Sequence, residues 1–195
     1  MDYPLFELQI SDEEESALEV NYVALVNQPA IEKNFLAFNE QRHEFSIDSE
    51  RRIISGAAMI PDTAMFRKAD KDMPDHKVYF SKETIEQIAQ KFFLKGFNQN
   101  FNIMHNPELK TDGVFVFESF ITDSERGILP MKGFEDSPEG TWFLSAKVMN
   151  DEVWDKVKSG DVKGFSVEGL FKYKKSKMTE EEAFEKIKSI LNEIN

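Results

Sequence analysis

The chain has no cysteine among its 195 residues. That excludes disulfides, thiolate nucleophiles, CxxC redox motifs and zinc–thiolate sites, and it fits a reducing compartment. Histidine is scarce too, with only His43, His76 and His105 present. None forms an HExxH pair, so neither a metal nor a cofactor is expected. No GxGxxG or Walker glycine loop is found either. Basic residues are outnumbered, 24 Lys and Arg against 36 Asp and Glu, for a formal net charge of −12. Such a chain repels phosphate backbones and anionic lipid, so nucleic acid and membrane surfaces are not expected partners. No apolar run approaches the roughly 18–20 residues that span a bilayer. Met1 to Ile10 carries Asp2 and Glu7 and lacks the basic start of a secretory signal. The expectation is a soluble intracellular protein.

What is present is globular. Hydrophobic residues make up 41%, and 18 residues are Phe. The length suits one domain with an appendage. Residues 1–172 are assigned to that domain, and residues 173–195 to a basic linker and tail helix. The acidic run from Ser11 to Glu15 reads as a solvated segment. Strands are predicted at 18–26, 52–60, 101–104, 113–121, 141–149 and 162–171, from β-branched and aromatic runs bounded by turn residues. The run 113–121 looks buried on both faces. Residues 39–51 read as a linker or hairpin, and 62–76 as a polar loop. Ser81 should cap a helix whose stripe is Ile85, Ile88, Ala89, Phe92 and Phe93, with Gly96 closing it. Asn150 should cap a second, shorter helix ending at Gly160. In the tail, Lys172, Lys174, Lys175 and Lys177 form the linker. Thr179 and Glu182 make a capping box before the apolar stripe from Phe184 to Ile194. The order has no regular βαβ alternation. It predicts an α+β fold, a small mostly antiparallel β-barrel flanked by helices, with a C-terminal amphipathic helix.

Two places could carry chemistry. His105 follows an apolar strand and precedes a proline turn, and imidazole titrates near neutral pH, so it can serve as a general base. The bland alternative is a loop histidine bonded to its own turn. Ser166 lies in Gly164-Phe-Ser-Val-Glu-Gly169, where Gly164 and Gly169 could let a carbonyl approach and expose N–H groups to an oxyanion. Here the alternative is a strand corner with a small polar residue. The pattern is not the GxSxG elbow, because position 168 is Glu. A serine nucleophile needs a base within reach, and the triad is defined by geometry rather than chain order.

At these residues the chain resembles the phage prohead (capsid maturation) proteases, specifically their XkdF-like branch. Four pieces over residues 17–172 carry the likeness: Val23-Ala-Leu-Val-Asn-Gln-Pro-Ala-Ile-Glu32, His105-Asn-Pro107, Val116-Phe-Glu-Ser-Phe-Ile121 and Gly164–Gly169. The resemblance implies a herpesvirus assemblin-like barrel and serine endopeptidase activity. The implied substrates are the phage scaffold and major capsid protein, and often the enzyme itself, inside the immature prohead in the host cytoplasm. A homodimer is implied by the same analogy. By motif position Ser166 is the nucleophile and His105 the base. In the main branch the segment like Tyr22–Ala30 follows the serine strand and opens with an acid. Here it lies near the N-terminus with Tyr22 in that place, which implies a circular permutation of residues 17–38. The third catalytic member is therefore assigned to Glu118, on the strand just after His105, with Asn21 or Glu168 as alternatives. The rivals are a catalytically inactive structural phage protein with the same barrel, and a ligand-binding barrel with a pocket lined by Phe115, Phe117 and Phe120.

Overall fold

A computed structural model describes residues 3–11, 17–27, 44–69, 71 and 73–175. The strands are β1 (Leu5–Gln9), β2 (Val20–Val26), β3 (Ser46–Asp48), β4 (Ile53–Met59), β5 (Met65–Arg67) and β6 (His76–Tyr79). Helix α1 (Lys82–Leu94) and a short 3₁₀ turn follow. Then come β7 (Phe101–Ile103), β8 (Asn106–Thr111), β9 (Val114–Ile121), β10 (Trp142–Val148), helix α2 (Asp151–Ser159), β11 (Gly164–Gly169) and β12 (Lys172–Lys175). The fold is α+β and mostly strand. The expected barrel does not close. The strands form three open four-stranded sheets, ordered β12-β1-β6-β5, β3-β4-β10-β9 and β11-β2-β7-β8. Pairing is antiparallel except between β1 and β6 and between β2 and β7. The tail helix, Lys177, the acidic residues 12–15 and residues 28–38 lie outside the described residues.

One core holds the sheets together. Val23 and Leu25 of β2, Ile54 of β4, Val78 of β6, and Trp142 and Leu144 of β10 meet there, each nearly fully buried. The apolar stripe of α1, Ile85, Ile88 and Phe92, packs into the same cluster. The predicted caps are in place. Ser81 Oγ accepts from Thr84 N–H at 3.3 Å, and Gly96 follows the helix in the left-handed region at φ 71°. Asn150 Oδ1 accepts from Val153 N–H at 3.1 Å at the start of α2.

Three expectations need correction. Strand β9 is an edge strand and is not buried on both faces: Val114 and Val116 are buried, while Phe117, Glu118 and Ser119 are exposed. Its ladder with β10 slips between Ser145 and Ala146, which places an extra residue at Phe117 and turns Phe117, Glu118 and Ser119 outward. The predicted strand 162–171 ends at Gly169, and the chain crosses to another sheet. Lys172, Lys174 and Lys175 there form β12 rather than a linker, with Lys174 Nζ 3.3 Å from the Glu7 carboxylate. The predicted loop 62–76 contains β5 and the first residue of β6.

Candidate active site

Ser166 sits on the edge strand β11, opposite Ala24 of β2. In the next strand Ala24 faces Asn102 of β7. Paired residues share a face, so Ser166, Ala24 and Asn102 form a row with only a methyl group in its middle. Glu168 lies two residues after Ser166, on the same face. The Ser166 side chain is 3% exposed, and its Oγ has no hydrogen-bond partner among the described residues. Buried hydroxyls are normally paired, so an orphan one requires a reason.

His105 is presented by a two-residue hairpin. Ile103 of β7 pairs with Asn106 of β8, and Met104 and His105 form the turn with φ of 54° and 58°. Two positive φ angles are the mark of a type I′ turn, which asparagine and glycine normally occupy. Neither residue here is a glycine, so the tip carries backbone strain. His105 Nδ1 lies 2.8 Å from Glu168 Oε1. A carboxylate only accepts, so Nδ1 donates to it, and in the neutral ring Nε2 is then the free acceptor. Asn102 Nδ2 donates to the same Glu168 oxygen at 2.6 Å. Asn102 is 1% exposed, and its own Oδ1 has no partner among the described residues.

Glu168 is thus the carboxylate on His105. Glu118 is exposed on β9 in a different sheet, opposite Ser145, and has no bond to His105. Its outward turn follows from the β9 bulge, which no hydrophobic pattern announces. Asn21 is exposed as well. Its carbonyl accepts from Asn100 Nδ2 at 2.9 Å, and it too has no bond to His105. Tyr22 lies under Lys110, whose Nζ is 5.1 Å from the ring centroid. Ser166 and His105 are not hydrogen-bonded to each other, since Ser166 Oγ has no partner. Gly169 has a packing reason: a Cβ there would overlap the Glu19 carbonyl. That carbonyl accepts from Leu170 N–H at 3.0 Å. Gly164 is buried opposite Val26. Asn102 was not foreseen as a functional residue; its only signal in the sequence was a polar side chain inside an apolar strand.

Ser166 and Glu168 line a cavity of about 370 Å³ that runs along the free edge of β11. Its walls are mostly apolar, with Leu8, Met59, Phe80 and Phe165 among them, and Arg67 of β5 enters it. Phe115, Phe117 and Phe120 are elsewhere: Phe120 stacks on Phe143 at 5.3 Å and Phe117 is exposed. No group of three or more His, Asp or Glu among the described residues could hold a metal ion. No helix among them is long and apolar enough to cross a membrane.

Residues 42–175 match the family described as "Putative phage serine protease XkdF". The chain is also 26% identical over 159 residues to the "Phage-like element PBSX protein XkdF" of Bacillus subtilis (strain 168). That alignment covers 81% of this chain and 49% of the relative, so the chain spans about half the length of the curated protein it matches. No solved structure matches it.

Proposed function

The chain belongs to this XkdF family of phage serine proteases, and from that premise we propose that it is a serine endopeptidase that processes scaffold and capsid protein during phage head maturation. The observation that carries the reading is the unpaired, buried Ser166 hydroxyl. It shares one face and one cavity with a carboxylate that already holds His105 Nδ1 at 2.8 Å. In the reaction, Ser166 Oγ bonds to the peptide carbonyl carbon while its proton passes to His105 Nε2. The tetrahedral oxyanion collapses, the C–N bond breaks, and His105 returns the proton to the leaving amine. Water then hydrolyses the acyl-serine by the same route. Glu168 holds the imidazole tautomer and stabilises the imidazolium, and Asn102 orients Glu168.

The Ser–His bond must form at about 2.6–3.2 Å when substrate arrives, as is common for sites that tighten on binding. The exposed hairpin tip is the element that moves. The substrates are the scaffold, the major capsid protein and the enzyme itself, within the immature head in the host cytoplasm. A homodimer and a permuted segment 17–38 belong to the same reading. Strand β2, which carries the first part of that segment, lies beside the serine strand β11 and supports it.

The test is intact mass of wild-type and Ser166→Ala protein over a long incubation with co-expressed scaffold, together with labelling by a fluorophosphonate. Truncation and labelling in wild type, both absent in Ser166→Ala, are expected. A second reading, an inactive structural relative, is favoured by the missing Ser166–His105 bond. Stable masses and no labelling in both proteins would establish it and overturn the protease.

A further inference from the structure

Four arginines lie among the described residues, and three are ion-paired. Arg51 meets Asp48 at 2.6 Å, Arg52 meets Asp151 at 2.6 Å, and Arg126 meets Asp123 at 3.8 Å. Arg67 is the exception. It is half-buried, it lines the Ser166 cavity, and no described carboxylate lies within ion-pair distance. Its Nη1 donates to the Phe66 carbonyl at 3.4 Å, a long bond for a charged donor. Burial lowers its pKa below that of a free guanidinium. A desolvated cation without a counter-ion is unfavourable, and an arriving carboxylate relieves the penalty through a bidentate contact. This lone cation stands in a chain with 36 acidic residues. The surrounding wall is mostly apolar, with Met59, Met65, Phe80 and Phe165, and Glu168, whose carboxylate is occupied by His105 and Asn102, is the one acidic group in it among the described residues. The cavity therefore suits a side chain with a short methylene stem and an acidic end.

We propose that Arg67 is the specificity residue of the Ser166 site and receives an acidic side chain of the peptide substrate beside the bond to be cut. The inference rests on the protease reading for the word substrate, but binding can be measured without turnover. Full-length Ser166→Ala protein is titrated into fluorescein-labelled Gly-Ala hexapeptides that differ only in a central Glu, Gln or Lys, and anisotropy is recorded. The Glu peptide is expected to bind about 10–100-fold more tightly than the Gln peptide, with Lys weakest. Adding Arg67→Gln should erase the difference, and Arg67→Glu should reverse it in favour of Lys. Equal affinities for the Glu and Gln peptides, a preference that survives Arg67→Gln, or no binding of any peptide would overturn the proposal. If the Arg67 variants do not fold, the Glu-to-Gln ratio on protein that retains Arg67 decides alone. A Glu preference without fluorophosphonate labelling of wild type overturns only the protease; labelling without the preference overturns only Arg67.

Discussion

Ser145 and Ser166 are equally buried, each 3% exposed and each on a strand of a four-stranded sheet. Their surroundings differ in kind. Ser145 Oγ is bonded to Ser55 Oγ at 2.8 Å across the β4–β10 ladder. Nearby, Trp142 Nε1 donates to Ser119 Oγ at 2.8 Å. No described residue on a strand of that sheet leaves a buried side-chain polar atom orphaned. In the β11-β2-β7-β8 sheet, Ser166 Oγ, Asn102 Oδ1 and Thr111 Oγ1 are all without partners among the described residues. Two of the four non-glycine residues with positive φ, Met104 and His105, belong to the same sheet, while Arg52, at φ 50°, turns between β3 and β4 of the other. One sheet is satisfied. The other keeps unmet hydrogen-bonding capacity, which tends to gather where a ligand is received.

The serine pair breaks or sharpens this contrast most strongly. Ser145→Ala should destabilise by about 1–3 kcal/mol, because Ser55 Oγ is left buried and alone. Ser166→Ala removes an orphan and should leave stability unchanged or slightly raised. Urea unfolding of both variants checks the pair, and equal losses would erase the distinction between the sheets. Next in size is the hairpin. Met104→Gly relieves a left-handed residue and should add about 1 kcal/mol to stability, with activity kept. A loss of stability in chemical denaturation would mean that the turn is not strained.

The smallest effect belongs to the third sheet and to pH. Burial pushes the Glu7 carboxyl up, but hydrogen bonds from Ser81, Gln9 and Lys174 outweigh it, and the pKa falls below the usual carboxylate value. Its stabilising contribution is therefore present above the unfolded pKa and disappears as pH falls through the folded one. Asp62 runs the other way. Burial, with Glu83 and Glu7 adding to it, raises its pKa. Its favourable contribution is present at low pH and is lost as pH rises through the folded value. Melting temperatures from pH 3 to 8 should show Glu7→Gln lowering Tm near neutrality and converging on wild type in acid. Asp62→Asn should raise Tm near neutrality. A constant offset across the range would remove both assignments.

Sequence patterns revealed the elements that carry their own signals. The amphipathic stripe and caps of α1, and the β-branched runs of β2, β4 and β10, stand where the residues say. Strands β1, β5 and β8 were missed because they are short, and β1 is held by strands far along the chain, β6 and β12, rather than by local preference, while β8 is also polar. The barrel was an overextension: sequence order gives strands, while closure depends on shear and stagger that no pattern encodes. At the site, Ser166 and His105 stood out by their neighbours, a glycine-flanked strand and the proline at 107, although that proline lies in β8 and the turn is made by Met104 and His105. Glu168 could be singled out only through alternation with Ser166. Glu118 looked more suitable than Glu168 and was the first choice, since a bulge that redirects a side chain leaves no hydrophobic trace. Arg67 was invisible in the sequence, because what marks it is the absence of a partner.

Strand β1 pairs in register with β12, Leu8 opposite Tyr173, and both residues line the Ser166 cavity. That pairing joins the earliest described strand to the last. During synthesis on the ribosome, every other wall of the cavity is available before residues 172–175 emerge. Strand β1 must wait, unpaired on that edge, until residues 172–175 have been made. The cavity therefore lacks that paired wall until β12 is in place, and a polypeptide interrupted before residue 172 carries Ser166 on a more open edge.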